Sequence, residues 1–363
     1  MIRVAIIGTH GIPARYGGFE TFAEEFSQLL VREGYNVIVQ CEVSDGMPEY
    51  LNGVKLFYSP VKKSEHPLRY YYSGLKNSLR TSEIIIITGS IGAPFYFLNF
   101  FKRRVLITNT DGIEYKRSKW SILHRLFLRF TEMLAVRFSD IVIADSLSIM
   151  DFLSSKYRSS AGKLRLIEYG AVINQKYNAK HLEEYKLSVK GYYLVVCRLE
   201  PENNLIMIIE GYLKSHSALP LLIVGNVTPT AFVKNILGGY GSDKVIFAGG
   251  IYDKTVLSSL RYCCKAYIHG HSVGGTNPSL LEAMGNGNVI ICHDNTFNRE
   301  VTVHSQFYFS DPDSCSEAIK KVEKLSEAEI DSFREKSCSR IRDYYNWDNI
   351  IGKYTRLIKS LKI

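Results

Sequence analysis

One stretch of the chain, His269-Gly270-His271-Ser272-Val273-Gly274-Gly275-Thr276-Asn277-Pro278-Ser279-Leu280-Leu281-Glu282, gathers residue types that suit a phosphate. Apolar residues at 266–268 precede it and Asn288-Val289-Ile290-Ile291 follows, so the pattern predicts strand, loop, helix, strand. Asn277 is a good N-cap, and Pro278 falls at the first helical position, where its missing N–H costs nothing. Ahead of that cap, Gly274-Gly275 lets the amides of Gly275 and Thr276 approach an anion without Cβ interference. The helix N-terminus behind them adds its dipole. Glu282, one turn in, points back toward the loop, where a carboxylate would take a ribose hydroxyl. The same residues would also make an ordinary strand-to-helix connection ending in a solvated Glu.

Three further places carry chemistry. Gly17-Gly18 precedes a helix and repeats the amide-donor arrangement near the N-terminus. With Gly8-x-x-Gly11 upstream it does not fit Gly-x-Gly-x-x-Gly, which argues against a dinucleotide site. Arg198 directly follows the apolar run 192–197, where its planar fork could grip a diphosphate. A salt bridge to Glu200 or Glu202 is the plainer alternative. Asp111, in Asp111-Gly112-Ile113-Glu114-Tyr115-Lys116-Arg117, could bind sugar hydroxyls or an acceptor, or could simply sit in a turn. Asp311-Pro312-Asp313 resembles a metal-binding Asp-x-Asp, but Asp313 reads better as a helix N-cap. No His/Cys cluster has zinc spacing and no Ser or Cys sits in a nucleophile elbow, so no metal ligands are predicted.

These residues need a frame. Strands are expected at 3–8, 36–41, 54–58, 83–87, 104–109 and 140–144, with helices between them at 19–32, 66–80, 93–101 and 120–138. Residues 146–190 are polar and weakly patterned and read as the approach to a linker. A second alternation has strands at 192–197, 221–224, 244–247, 266–269, 289–292 and 307–309, and helices at 317–345 and 347–362 close the chain. Strands separated by helices imply two doubly wound parallel sheets, whose ligands lie at the carboxyl ends of strands.

The 363 residues suffice for two such domains, and 46% hydrophobic with 22% charged residues is ordinary for a soluble protein. A net charge of +9 favours anionic partners, either phosphate-bearing substrates or an acidic membrane surface. No aromatic-interleaved RNA-binding signature is present, so nucleic acid is not an expected partner. The seven scattered cysteines form no Cys-x-x-Cys and read as reduced structural thiols of a cytosolic protein. The N-terminus starts directly with a strand, so no signal peptide is expected. The most apolar run, 84–101, is interrupted by Thr88, Gly89, Ser90, Pro94 and Asn99. It reads as a buried strand and short helix, not a membrane span.

Four stretches in order resemble the retaining glycosyltransferases of the family-four, GT-B class: the Gly17-Gly18 loop, Arg198-Leu199, the strand-loop-helix ending Glu282-Ala283-Met284, and a final helix. More narrowly, the wording of residues 7–21, 110–120, 198–204 and 269–284 is similar to bacterial rhamnosyltransferases of polysaccharide assembly. The resemblance implies an α/β GT-B fold, with two Rossmann-like domains facing across a cleft. Residues 1–170 would bind the acceptor, 171–345 the nucleotide sugar, and helix 346–363 would cross back to the first domain. It implies donor contacts from Gly17, Gly18, Asn203, Gly274, Gly275, Thr276, Asn277 and Glu282, with Arg198 and Asp111 catalytic. His10, Arg15, Tyr16, Glu114 and His271 join the site for acceptor or other contacts.

Three departures from the wider class stand out. Of its usual Glu-x7-Glu pair only Glu282 remains, because the first Glu aligns with Gly274. The Lys of its Arg-and-Lys diphosphate clamp aligns with Asn203, and Asp111 stands where a His is common. Losing those sugar contacts suits a 6-deoxy sugar, so the resemblance implies L-rhamnose transfer from dTDP-L-rhamnose without a metal cofactor. The acceptor would be a lipid-pyrophosphate-linked sugar of capsule or O-antigen synthesis. Lys102-Arg103-Arg104, Lys116-Arg117, Lys119 and the helix at 120–138, with Arg125, Arg129 and Arg137, form a basic amphipathic stretch. It suits docking on the anionic inner face of the cytoplasmic membrane, or is a core helix with solvated arginines. The same fold with another donor (a UDP- or GDP-sugar), a sugar-nucleotide epimerase, a metal-dependent transferase using Asp311 and Asp313, or a non-catalytic nucleotide-sugar-binding protein are the competing readings.

Overall fold

A computed structural model describes residues 1–43, 46, 48–110, 112–117, 120–226 and 230–361. The chain divides into two compact units: Met1–Tyr169 with Val273–Gly275 and Trp347–Ile363, and Gly170–Ser272 with Thr276–Asn346.

The first unit runs β1 (Arg3–Ile7), α1 (Gly18–Arg32), β2 (Asn36–Glu42), β3 (Tyr50–Leu51), β4 (Val54–Ser59), α2 (Pro67–Thr81) and β5 (Ile84–Thr88). It continues with β6 (Val105–Asn109), α3 (Ile122–Phe138), β7 (Ile141–Ala144), α4 (Leu147–Lys156) and β8 (Leu164–Leu166). The sheet order is β3-β4-β2-β1-β5-β6-β7-β8, parallel except for the β3–β4 hairpin. β5 is buried along its whole length, because a strand covered on both faces can be a continuous apolar run.

The second unit runs α5 (Lys180–Glu183), β9 (Tyr193–Val196), α6 (Leu205–Ser215), β10 (Leu221–Val224), α7 (Ala231–Tyr240), β11 (Val245–Gly249) and α8 (Lys254–Cys263). Then follow β12 (Ala266–His269), α9 (Pro278–Gly285), β13 (Ile290–His293), α10 (Thr296–Thr302), β14 (Phe307–Phe309), α11 (Pro312–Glu323) and α12 (Glu327–Arg340). Its six strands are all parallel, in the order β11-β10-β9-β12-β13-β14. After a π turn at Ile341–Tyr345, the last helix, α13 (Trp347–Ser360), belongs to the first unit. There Tyr354 packs 4.4 Å from Phe26 and 6.0 Å from Phe22 of α1, ring centre to ring centre.

Both units are therefore doubly wound α/β domains. In each sheet the order reverses at one place, between β1 and β5 in the first and between β9 and β12 in the second. The loops leaving those strands diverge and open a crevice, the position where such sheets bind ligands.

Four expectations need correction. Residues 317–345 are not one helix, because α11 ends at Glu323 and Ser326 caps a new helix, α12. Residues 146–166 are not linker. Ser146 caps α4 through the Ile149 amide, and β8 adds an eighth strand whose three residues were too few for a visible period. The N-cap near 311 is Asp311, not Asp313: its carboxylate accepts from Ser314 N at 2.7 Å in a capping box. Pro312 drives the residue before it out of the helical region, which makes that residue the cap. Residues 93–101 form a 3₁₀ turn at Ala93–Asn99 that buries Tyr96 but leaves Phe97 two-thirds exposed.

Candidate functional site

The crevice loops of the second unit carry most of the chemistry. Arg198 follows β9 and holds Glu200 with Nη2 at 3.4 Å from Oε2, so the plain salt bridge is present. Its side chain is nevertheless one-third exposed, which leaves the guanidinium presentable to a ligand. The loop beneath it is stitched to the loop after β12. Asn203 Nδ2 donates to Arg198 O at 2.7 Å while Asn203 Oδ1 meets His271 Nδ1 at 2.9 Å. Asn204 Nδ2 donates to Gly270 O at 2.8 Å, and Ser272 N and Oγ both donate to Glu202 O at 3.0 Å. A Cβ on Gly270 would stand 2.0 Å from Asn203 O, so the two loops touch only because that residue is glycine. Asn203, expected to replace a diphosphate-binding Lys, is buried with both ends of its amide engaged. It positions Arg198 and His271.

The helix after the second loop begins as expected. Asn277 Oδ1 accepts from Ser279 N at 2.9 Å and Pro278 occupies the first turn. Ser279 Oγ donates to Val196 O at 3.0 Å, which fixes the N-terminus of α9 against the end of β9. Arg198 and the positive end of α9 thus flank the same pair of strands, β9 and β12. Glu282 does not face solvent alone: Arg261 Nη2 of α8 lies 2.5 Å from its Oε2. Arg261 is almost fully buried, so this pair orients the Glu282 carboxylate. No local spacing links residues 261 and 282, and only the pairing of α8 with α9 across β12 brings them together.

His269, at the last position of β12, is buried and its Nε2 meets no hydrogen-bonding partner among the described residues. Burial, with a smaller contribution from His293, lowers its pKa from 6.5 to about 3. Since the folded-state value lies below the unfolded one, the unfolded chain takes up the proton first as pH falls. The contribution is absent above about pH 6.5 and destabilises the fold progressively toward pH 3, by about 2 kcal/mol at pH 5. Chemical denaturation at pH 7.5 and pH 5 is expected to show a loss of this size that His269→Gln lacks. Equal losses in both proteins would refute this assignment.

The Val273–Gly275 tip belongs to the first unit. Gly274 has φ +132°, a region that side chains rarely adopt, and a Cβ on Gly275 would overlap Asp145 Oδ1 at 1.7 Å. The glycine pair therefore has a packing reason beside the expected one, and its neighbour is a carboxylate. Thr276 is buried.

In the first unit the loop after β1 is built around acids. His10 N donates to Glu20 Oε1 at 2.8 Å, and His10 Nδ1 lies 2.9 Å from Glu42 Oε1. Desolvation lowers the His10 pKa, with Lys63 acting in the same direction and Glu20 and Glu42 opposing them. Tyr16 is half exposed with its ring 4.2 Å from that of His10, and Arg15 is exposed. Gly17 is the extended N-cap of α1 and Gly18 its first residue. Glu20 is buried in that first turn, so an acid of the chain itself already complements the helix N-terminus. Glu114 is committed inward, to Arg117 Nε at 2.8 Å and Trp120 Nε1 at 3.2 Å. Arg117 is buried and so is no part of a basic surface. Asp111 and Lys119 lie outside the described residues. All seven cysteines are free thiols. Asp313, offered as half of a metal site, pairs with Lys214 at 2.7 Å.

Comparison with known proteins agrees with this division. Residues 1–60 and 67–172 match a domain of unknown function (DUF1972), and residues 179–344 match the glycosyl transferases group 1 family. The chain is 22% identical over 396 residues to an uncharacterized glycosyltransferase of Methanocaldococcus jannaschii, covering 99% of each. Among solved structures, a sucrose-phosphate synthase from Thermosynechococcus elongatus superposes with a TM-score of 0.80 at 16% identity, over 99% of this chain and 98% of that one. Anabaena HepE in complex with UDP-glucose superposes with a TM-score of 0.79 at 16% identity, over 99% and 100%.

Proposed function

We propose, for a chain that is a glycosyltransferase of GT-B fold with a glycosyl transferases group 1 second half, that it transfers L-rhamnose from dTDP-L-rhamnose with retention. The acceptor in this reading is a lipid-pyrophosphate-linked sugar of a bacterial surface polysaccharide, capsule or O-antigen. The observation that carries the donor site is the convergence of Arg198 and the N-terminus of α9 at the β9/β12 switch point.

As the glycosidic bond to the nucleotide breaks, negative charge grows on the departing diphosphate. Preorganised positive potential lowers that barrier most. Arg198 supplies a full charge and two donors, and α9 its dipole. The Glu282 carboxylate, held by Arg261, takes a ribose hydroxyl. His271, Asn203 and Gly270 hold the Arg198 loop in register. The leaving phosphate oxygen accepts the acceptor's proton on the same face, so no dedicated base is required. Asp111 and the His10–Tyr16 loop act on the acceptor side. Because guanidinium and helix dipole carry the charge, activity in EDTA is expected to be undiminished.

The left-handed backbone at Gly274 supports the choice of a 6-deoxy donor. A Glu would be strained at this φ of +132°, so the loop as folded here offers no carboxylate to the sugar from that position. The UDP-glucose complex of Anabaena HepE favours a second reading, a UDP-hexose donor. Incubating the protein with a panel of nucleotide sugars and a synthetic lipid-pyrophosphate glucose or N-acetylglucosamine, read by mass spectrometry, separates the two. Preferential mass gain with dTDP-L-rhamnose supports the first, and equal turnover of UDP-glucose ends it.

In this reading the enzyme is cytoplasmic and works at the anionic inner face of the membrane through Lys102, Arg103, Arg129 and Arg137. Among the described residues no helix is long and apolar enough to cross a membrane.

A further inference from the structure

Helix α3 leaves a row of large apolar side chains in water. Two of its polar side chains face the protein, beside the buried Leu128, Ala135 and Val136: Glu132 is buried, with Oε1 accepting from Lys156 Nζ and Tyr157 OH, each at 2.7 Å. Thr131, also buried, meets Ser90 at 3.2 Å. Its outward face carries large apolar side chains flanked by Arg129 and Arg137. Ile122 and Leu123 are 76% and 78% exposed, and Leu126, Phe127, Phe130 and Met133 continue the row at helical spacing. The buried Glu132 cluster fixes the roll of the helix, because turning the apolar row inward would carry a carboxylate out of its ion pair.

The 3₁₀ turn Ala93–Asn99 packs against α3 and extends this surface. Phe100 and Phe101 follow it, 77% and 87% exposed. An uncovered patch of this extent marks an interaction site.

Charge selects the occupant. The sole acidic residue of α3 is the buried Glu132, and residues 93–104 contain none. Within residues 93–104 and α3 the exposed charges are Lys102, Arg103, Arg129 and Arg137, all positive. A second copy of the chain would bring like charges together. An anionic bilayer instead meets the apolar row with acyl chains and the cations with phosphates. The helix, 17 residues and so roughly 25 Å long, suits lying in the interface plane.

We infer that α3 and the Phe97–Phe101 turn insert into the anionic leaflet, so that the enzyme is held by apolar penetration and not by charge alone. This deepens the membrane reading above and rests on it.

The test is flotation with phosphatidylcholine/phosphatidylglycerol vesicles at 0.15 M and 1 M NaCl. Wild type is expected to co-float at both salts, since penetration survives screening. F100S/F101S and L123S/L126S, exposed substitutions that leave the core intact, are expected to lower partitioning at least tenfold at both salts. Binding at 0.15 M that vanishes at 1 M, and that the substitutions leave unchanged, overturns insertion while leaving electrostatic docking standing. No co-flotation at either salt overturns both. A dimer dissolved by the same substitutions, without vesicle binding, assigns the face to a second copy and overturns the inference.

Discussion

Arg198→Ala is expected to lower kcat by roughly 10²-fold or more, the loss seen when one preorganised donor to a developing oxyanion is removed. Stability should scarcely change. Arg198 is one-third exposed and its partner Glu200 lies 3.4 Å away, an arrangement of small net value to the fold. The split between kinetic constants is informative: a group that meets charge mainly in the transition state moves kcat more than KM. Arg198→Lys keeps the charge but loses the planar fork, and should recover only part of the rate. A fall below threefold in the Ala variant would remove Arg198 from this role.

The second large effect comes from a residue that touches no substrate. Gly270→Ala places a methyl group 2.0 Å from Asn203 O and 2.7 Å from Ile208 Cδ1. Backbone cannot yield as a side-chain tip does, so the loops after β9 and β12 must part. Overpacking of this kind costs about 1–3 kcal/mol. The catalytic cost is larger in proportion, because the parted loops are those joined through Asn203, Asn204, His271 and Ser272. A displacement near 1 Å at Arg198 is worth roughly 10² in rate. Denaturant unfolding and steady-state kinetics on one preparation measure both. Full activity with unchanged stability would show that the stitching of the two loops does not set the position of Arg198.

The parts legible in the sequence are those with local causes. Alternation of apolar runs with amphipathic helices led to two parallel sheets, because period and order are written along the chain. Asn277-Pro278 announced the start of α9 because cap and first-turn preferences involve adjacent residues. Contacts decided elsewhere were not visible. Arg261 and Glu282 meet through the packing of α8 and α9, and the burial of His269 depends on a sheet assembled from distant segments. Asp311 is marked as the cap by the conformational effect of Pro312 on the residue before it, a local signal that the Asp-x-Asp pattern masks. The helix at 120–138 was the most deceptive. Its periodicity was evident, but nothing local tells which face the protein keeps, and the acid that would usually mark the wet side is the one buried.

Front-face transfer at Arg198 and α9 requires retention at the anomeric carbon. Proton NMR of the product, taken early in the reaction of the purified protein with dTDP-L-rhamnose and a lipid-pyrophosphate sugar, reads the configuration at C1 before any equilibration. Arg198 and α9 acting on the departing diphosphate, with the acceptor entering on that same face, predict a rhamnoside whose anomeric configuration equals the donor's. A product of inverted configuration, or donor bound without any transfer, would contradict it.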